Sequence, residues 1–232
     1  GLAAAAASIV SLGTGASVGR EGPLSHRGAT VGSWLTRTLG LSATFSRRML
    51  ACGAAAGVAA SFNAPIAGVI FAVEVVVGRY TLHTFAPIVV ASVAATVLSR
   101  LAYGEDVAFM VPEVAIHSYL ELPAFIIVGL LGALVTIALI RSISVVSRGF
   151  ERLPLPNWLH PAIAGLGVGV IALAAPQVLG VGYGTTDDAL AGELPFLLLA
   201  TILIAKIAAT GLSLGGGLAG GIFSPSLMLG AL

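Results

Sequence analysis

Gly19-Arg20-Glu21-Gly22-Pro23 sets two charges inside otherwise apolar sequence, with a glycine on either side and a proline behind. Residues 1–18 carry no charge, and the chain returns to long apolar stretches downstream. Charged groups at membrane depth are costly and persist where they pair, line a cavity or mark a pathway. Glycine permits the backbone turn that a break requires, and proline suits the first turn of a helix. The pentapeptide predicts a broken helix whose N-terminal end opens on a polar site.

Composition agrees with that setting. The 232-residue chain is 57% hydrophobic and 9% charged, with a mean hydropathy of +1.04. Soluble domains carry about 25% charged residues, so a soluble core is excluded. Runs 49–73, 80–99, 153–186 and 207–232 contain no Asp, Glu, Lys or Arg. Each is near or beyond the ~20 residues that cross a bilayer. The predicted fold class is an all-α polytopic membrane protein, multi-pass in a lipid bilayer. A formal net charge of +1 gives no footing for nucleic acid as a partner. Cys52 stands alone in an apolar run, which excludes a disulfide or a cysteine-based metal site within the chain. It reads as a small buried side chain, and no metal or other cofactor is expected. No basic n-region marks a signal peptide. The start at Gly1 and the stop within an apolar pattern at Leu232 read as a segment cut at both ends.

Charge placement predicts topology. Arg37, Arg47, Arg48, Arg79, Arg148 and Arg152 fall in one set of connections; Glu105, Asp106, Glu113, Glu121, Asp187, Asp188 and Glu193 fall in the other. The positive-inside rule makes the first set cytoplasmic. The chain then re-enters near 19–23, reaches the cytoplasm near 40–48 and makes an out-and-back excursion over 49–78. That excursion is too short for two crossings, and Asn63-Ala64-Pro65 interrupts it, which predicts two short, tilted helices. Full crossings are expected over 82–102, 122–147, 158–178 and 195–213. Gly53 and Gly57 form a small-xxx-small face for close helix packing.

The opening pattern recurs. Gly220-Gly221-Ile222-Phe223-Ser224-Pro225 is a second glycine break followed by a proline-started helix, about 200 residues on. Paired interruptions of this kind point to an inverted-repeat transporter with its site near the midplane. Helix starts carry partial positive charge and bind anions. Two converging starts make an anion site without a full positive charge, which suits an ion that must bind and leave. Ser224 offers a further polar contact. Glu21 is then an anion beside the place an anion wants, so it reads as a pH-responsive gate that competes with the permeating ion. Its alternative is a structural ion pair with Arg20, awkward because adjacent residues point apart.

Other polar residues carry less. Glu74 ends the expected 65–74 helix, where a structural carboxylate and a proton relay are both open. Lys206 can snorkel or pair internally. His26 and Arg27 are expected to face protein or water. Gly15-Ala16-Ser17-Val18-Gly19 matches the G-x-S-x-G nucleophile pattern. It lacks the strand-turn-helix setting and an orienting Asp, so an intramembrane serine hydrolase at Ser17 is a remote alternative.

At these residues the chain resembles the membrane domain of the CLC family of chloride channels and chloride/proton antiporters. Gly19–Pro23 matches the family's gating-glutamate motif and Gly221–Pro225 its second selectivity motif. Ala51–Gly57, Ser61–Gly68 and Leu179–Gly184 fit as well. The likeness covers essentially all of the chain, which would be about half of that domain, with an inverted-repeat boundary near 103–121. The resemblance implies a bundle of broken, tilted helices, a homodimer and a non-enzymatic chloride transporter, with compact loops suggesting a bacterial inner membrane. It implies that Glu21 is the external gate. The backbone of Gly19, Arg20, Glu21 and Gly22, with Gly221, Ile222 and Phe223, would cradle chloride. A first selectivity motif would precede Gly1, and a chloride-binding tyrosine would follow Leu232. Proton-coupled members usually carry an internal glutamate directly after the residue matching Glu74, where this chain has Val75. That departure implies passive chloride conduction, with antiport by another internal proton route as the second reading. Arg27 stands where the family usually has an apolar residue.

Overall fold

The computed structural model describes residues 2–78, 80–104, 109 and 118–232. Arg79, Glu105, Asp106, Glu113 and most of the boundary expected near 103–121 lie outside the described residues. Ten α-helices are described: α1 (Leu2–Gly13), α2 (Glu21–Thr38), α3 (Ala43–Phe62), α4 (Pro65–Phe71), α5 (Leu82–Tyr103), α6 (Leu122–Glu151), α7 (His160–Ala174), α8 (Tyr183–Leu190), α9 (Phe196–Gly215) and α10 (Phe223–Ala231). Four helical stretches, 82–103, 122–151, 157–174 and 196–215, are long and apolar enough to cross a membrane. They fall on the four expected crossings. The 30 residues of α6 span about 45 Å, longer than a hydrocarbon core of about 30 Å. The chain divides into two compact units, residues 1–6 with 21–108 and residues 7–20 with 109–232.

In the first unit the turn chemistry sets the breaks. The Ser42 side chain caps α3 by accepting from the Phe45 N–H at 3.4 Å. Asn63 ends α3 in the left-handed region at φ 54°, its N–H donating to the Ala59 carbonyl. Asn tolerates that conformation better than most side chains. Pro65 then starts α4. The helix does not stop at Glu74 as expected. It widens into a π-helical turn over Ala72–Val77 and closes at Gly78, φ 71°.

Helices α2 and α3 pack backbone to backbone. A Cβ on Gly28 would land on the Gly53 carbonyl, one on Gly32 on the Met49 carbonyl, and one on Gly57 on the Leu24 carbonyl. The pairs 24/57, 28/53 and 32/49 fall in number on one helix as they rise on the other, so the helices are antiparallel. The face expected at Gly53 and Gly57 therefore meets a matching one on α2, whose glycines the sequence reading left unassigned. Helix α5 packs across α3 and α4. Ser92 Oγ donates to the Pro65 carbonyl at 2.6 Å, Ser99 Oγ to the Ala60 carbonyl at 3.2 Å, and Arg100 Nε to Asn63 Oδ1 at 2.7 Å. Cys52 is buried in the core with Ala51, Ala55, Val69, Ala72, Val73 and Ile88.

In the second unit α9 is the central post. A Cβ on Gly211 would strike Ser142, and one on Gly215 would strike Val146, both on α6. The numbers rise together, so α6 and α9 are parallel. Leu212 packs at Gly167 and Gly216 against Ala164, so α7 runs antiparallel to α9. That alternation is what three successive crossings require. The acidic connection at 187–193, expected as a loop, contains the short helix α8, led in by Gly182 at φ 87°.

These close approaches set a test. Gly53→Ala, which puts a methyl on a backbone carbonyl, is expected to destabilise the first unit by about 1–3 kcal/mol. Gly129→Ala on α6, whose Cβ meets nothing within 4 Å, is expected to stay within about 0.5 kcal/mol of wild type. Thermal unfolding of the detergent-solubilised protein measures both.

Candidate anion site at the paired helix breaks

The two glycine breaks meet inside the second unit. Gly19 and Gly221 form an antiparallel bridge in which each N–H donates to the other's carbonyl, at 2.6 and 2.7 Å. Both residues are buried. Backbone that leaves a helix in a water-poor interior must find other partners, and here each break supplies the other's. Both breaks then open into helices at the same offset: Arg20 precedes α2, with Pro23 its third residue, and Ile222 precedes α10, with Pro225 its third. The N–H groups of Gly19 and Gly221 are engaged in the bridge, so these two residues set the register. The first turn of a helix follows directly beyond each of them. There N–H groups point out along the helix axis and carry partial positive charge.

Side chains add to this geometry. The Arg20 guanidinium lies 5.1 Å over the Tyr183 ring, a cation–π contact. Ser224 Oγ is 3.5 Å from the Tyr183 hydroxyl, and Ser224 is buried. Tyr183, the first residue of α8, therefore touches the residue before one helix start and the second residue of the other. Sequence reasoning placed Tyr183 only within a matching stretch; an aromatic in a glycine-rich turn was the available signal. Ile222 and Phe223 remain 48% and 36% exposed. In the first unit Glu21 opens α2 and is completely buried. The Gly22 carbonyl accepts from Ser25 Oγ at 2.9 Å.

Lys206 is fully buried on α9, and its ammonium donates to the carbonyls of Val178 and Gly180, both at 3.0 Å. It ties α9 to the turn that leads into Tyr183, so it pairs internally rather than snorkelling. Ser17 is also fully buried, and its hydrogen bonds run to hydroxyls: its N–H to Ser213 Oγ and its Oγ to Thr210 Oγ1, each 3.1 Å. An activated serine needs a base within reach and access for substrate, and this environment supplies neither. Ser17 is a packing and hydrogen-bonding residue, which corrects the hydrolase alternative. Glu74 and Val75 lie in the π-helical turn of the first unit, both exposed, Val75 at 66%. His26 is exposed and Arg27 half-buried on α2.

Paired, glycine-broken helix starts joined at a backbone bridge, in a chain with four helices long and apolar enough to cross a bilayer, define a helical membrane protein with interrupted helices. Comparison with known proteins narrows it. The family model described as voltage gated chloride channel matches residues 1–232, and the chain belongs to this CLC family. It is 36% identical, over 99% of its length, to the putative chloride channel protein ClcB-like of Ralstonia nicotianae. It is 35% identical over 96% of its length to chloride channel protein CLC-f of Arabidopsis thaliana. It is 32% identical over 97% to the voltage-gated ClC-type chloride channel ClcB of Escherichia coli. The chain spans 54% of each bacterial relative and 30% of the plant one. Among solved structures, a slow cyanobacterial Cl−/H+ antiporter superposes with a TM-score of 0.85 at 27% identity, over 94% of this chain and 52% of that one. A CLC-type fluoride/proton antiporter shares the fold, with a TM-score of 0.79 at 24% identity over 93% of this chain and 55% of its own.

The Lys206 tether is open to measurement. Lys206→Met keeps the apolar stem and removes both donors, leaving the Val178 and Gly180 carbonyls without the ammonium. The expected loss is about 1–3 kcal/mol of stability, read as a lower unfolding temperature in detergent.

Proposed function

We propose that this chain forms the anion-selecting part of a chloride-conducting CLC protein. Within the second unit chloride is held by backbone amides of Arg20, Ile222 and Phe223, with Gly19 and Gly221 setting their register. The observation that carries this reading is the reciprocal pair of hydrogen bonds between Gly19 and Gly221. It joins the two breaks and leaves each chain to enter a helix immediately beyond. Partial charges at helix starts bind an anion without a fixed counter-charge that would trap it. Arg20, held on Tyr183, adds positive potential at the same place.

Glu21 is the gate in this proposal. It is the first residue of α2 and fully buried. Its carboxylate competes for the positive end of that helix, and protonation removes the competition. At the position after Glu74 the chain has Val75, an exposed apolar side chain that cannot carry a proton. This supports passive conduction gated by Glu21. The protein acts as a homodimer in a bacterial inner membrane, as the family resemblance implies. A second reading, proton-coupled exchange by another internal route, is favoured by the likeness to a slow Cl−/H+ antiporter.

In the full-length protein reconstituted into liposomes, Glu21→Gln is expected to leave chloride flux that no longer responds to external pH. Persistence of the wild-type pH response would remove Glu21 from the gate. Passive conduction also predicts that the chloride reversal potential stays fixed when a proton gradient is imposed. A shift that tracks the gradient selects the antiport reading.

A further inference from the structure

The buried hydroxyls behind the Gly19 break have a pattern that packing alone does not require. Helical Ser and Thr residues commonly bond back to the carbonyl four residues earlier. Thr30, Thr136, Ser144 and Thr201 do so here, at 2.7–2.9 Å. Thr210 and Ser213, fully buried on α9, reach across to another segment. Thr210 Oγ1 meets Ser17 Oγ, and Ser213 Oγ accepts the Ser17 N–H. A Ser17 N–H buried among apolar helices would otherwise lack a partner in the bridge, because that pairing begins two residues later at Gly19.

Ser17, Val18 and Gly19 are gripped one after another. Ser17 is held by α9. Val18, fully buried, fills the space beside Gly220, where a Cβ would overlap its side chain. Gly19 is bonded to Gly221. On the other strand, the Ala219 N–H donates to Ser11 Oγ at 3.1 Å. Lys206, Thr210 and Ser213 occupy positions i, i+4 and i+7 of α9 and share one face. Lys206 holds the turn before Tyr183 while Thr210 and Ser213 hold the strand before Arg20. One helix face thus orients both parts of the Arg20–Tyr183 contact.

We propose that Thr210 and Ser213 are positioning residues for anion discrimination, acting through Ser17 on the backbone that follows Gly19. The inference rests on the anion-site reading given above. Chloride is a sphere and nitrate a planar, wider anion, so their relative binding depends on where the amide donors sit. Loosening the strand at Ser17 lets those donors shift, changing the preference without removing any group that touches the ion.

The test is the nitrate-to-chloride permeability ratio of the full-length protein in liposomes. Ser17→Ala and Thr210→Val each delete one side of the hydroxyl pair, and Thr210→Ser keeps it. Each deletion is expected to change the ratio by about two- to tenfold, the span one hydrogen bond commands. Thr210→Ser is expected to keep the wild-type ratio. The Ser17→Ala, Thr210→Val double variant is expected to go no further than the larger single change, as coupled partners do. If Thr210→Val does not fold, Ser17→Ala, which removes a single oxygen, carries the measurement. Wild-type flux with unchanged ratios in the deletion variants overturns this inference alone. Absence of anion flux in the wild type overturns the transport reading and this inference with it.

Discussion

Two short pieces of backbone that leave the helical state inside apolar surroundings need hydrogen-bond partners, and the structure meets that need by pairing them. Gly19 and Gly221 exchange their N–H and carbonyl groups, and the rest of the second unit is arranged to keep them in place. In hydrocarbon an unsatisfied amide costs several kcal/mol, so either break alone would be a defect. Together they form a stable element from which helices can start at a buried point. Beside the bridge, Gly220 must be glycine because Val18 already fills the space its Cβ would take.

The second demand is close approach of helices without a hydrophobic drive between them. Glycines at 28, 32, 53 and 57 bring α2 and α3 to backbone contact, and those at 211, 215 and 216 make room for the side chains of Ser142 and Val146 on α6 and Ala164 on α7. Close backbones give dispersion contacts along their length and leave little freedom to slide. A rigid frame matters for the anion site proposed above, because amide dipoles act only when aimed. Helix α9 joins frame and site, carrying packing glycines near its end and Lys206, Thr210 and Ser213 along a buried face.

The legible part of the site was its punctuation. The two Gly/Pro breaks, the charge at Glu21 and the small-residue face at Gly53 and Gly57 could be read because glycine and proline act locally and charge in apolar sequence is conspicuous. The four long helices fell where apolar runs of bilayer length predicted them. The end of the helix begun at Pro65 differs from expectation, because a charged residue such as Glu74 reads as a stop in apolar sequence. A π-helical turn absorbs it and continues to Gly78, and no local residue type announces that widening. Helix α8 was hidden by its acidic composition, which reads as a loop. Ser17 drew attention through a motif that in Gly- and Ala-rich sequence arises by chance; its partners lie more than 190 residues away.

The sequence alone determined that the chain is a helical membrane protein, where its helices break, and which family it resembles, because these follow from composition, local propensity and short motifs. Only the tertiary structure decided that the breaks hold each other through Gly19 and Gly221, that Arg20 rests on Tyr183, and that Lys206, Thr210 and Ser213 face inward to hold them. Those facts depend on which buried polar group finds which partner. That choice is made by packing segments distant in the chain, where every unpaired donor is costly and few partners lie within reach.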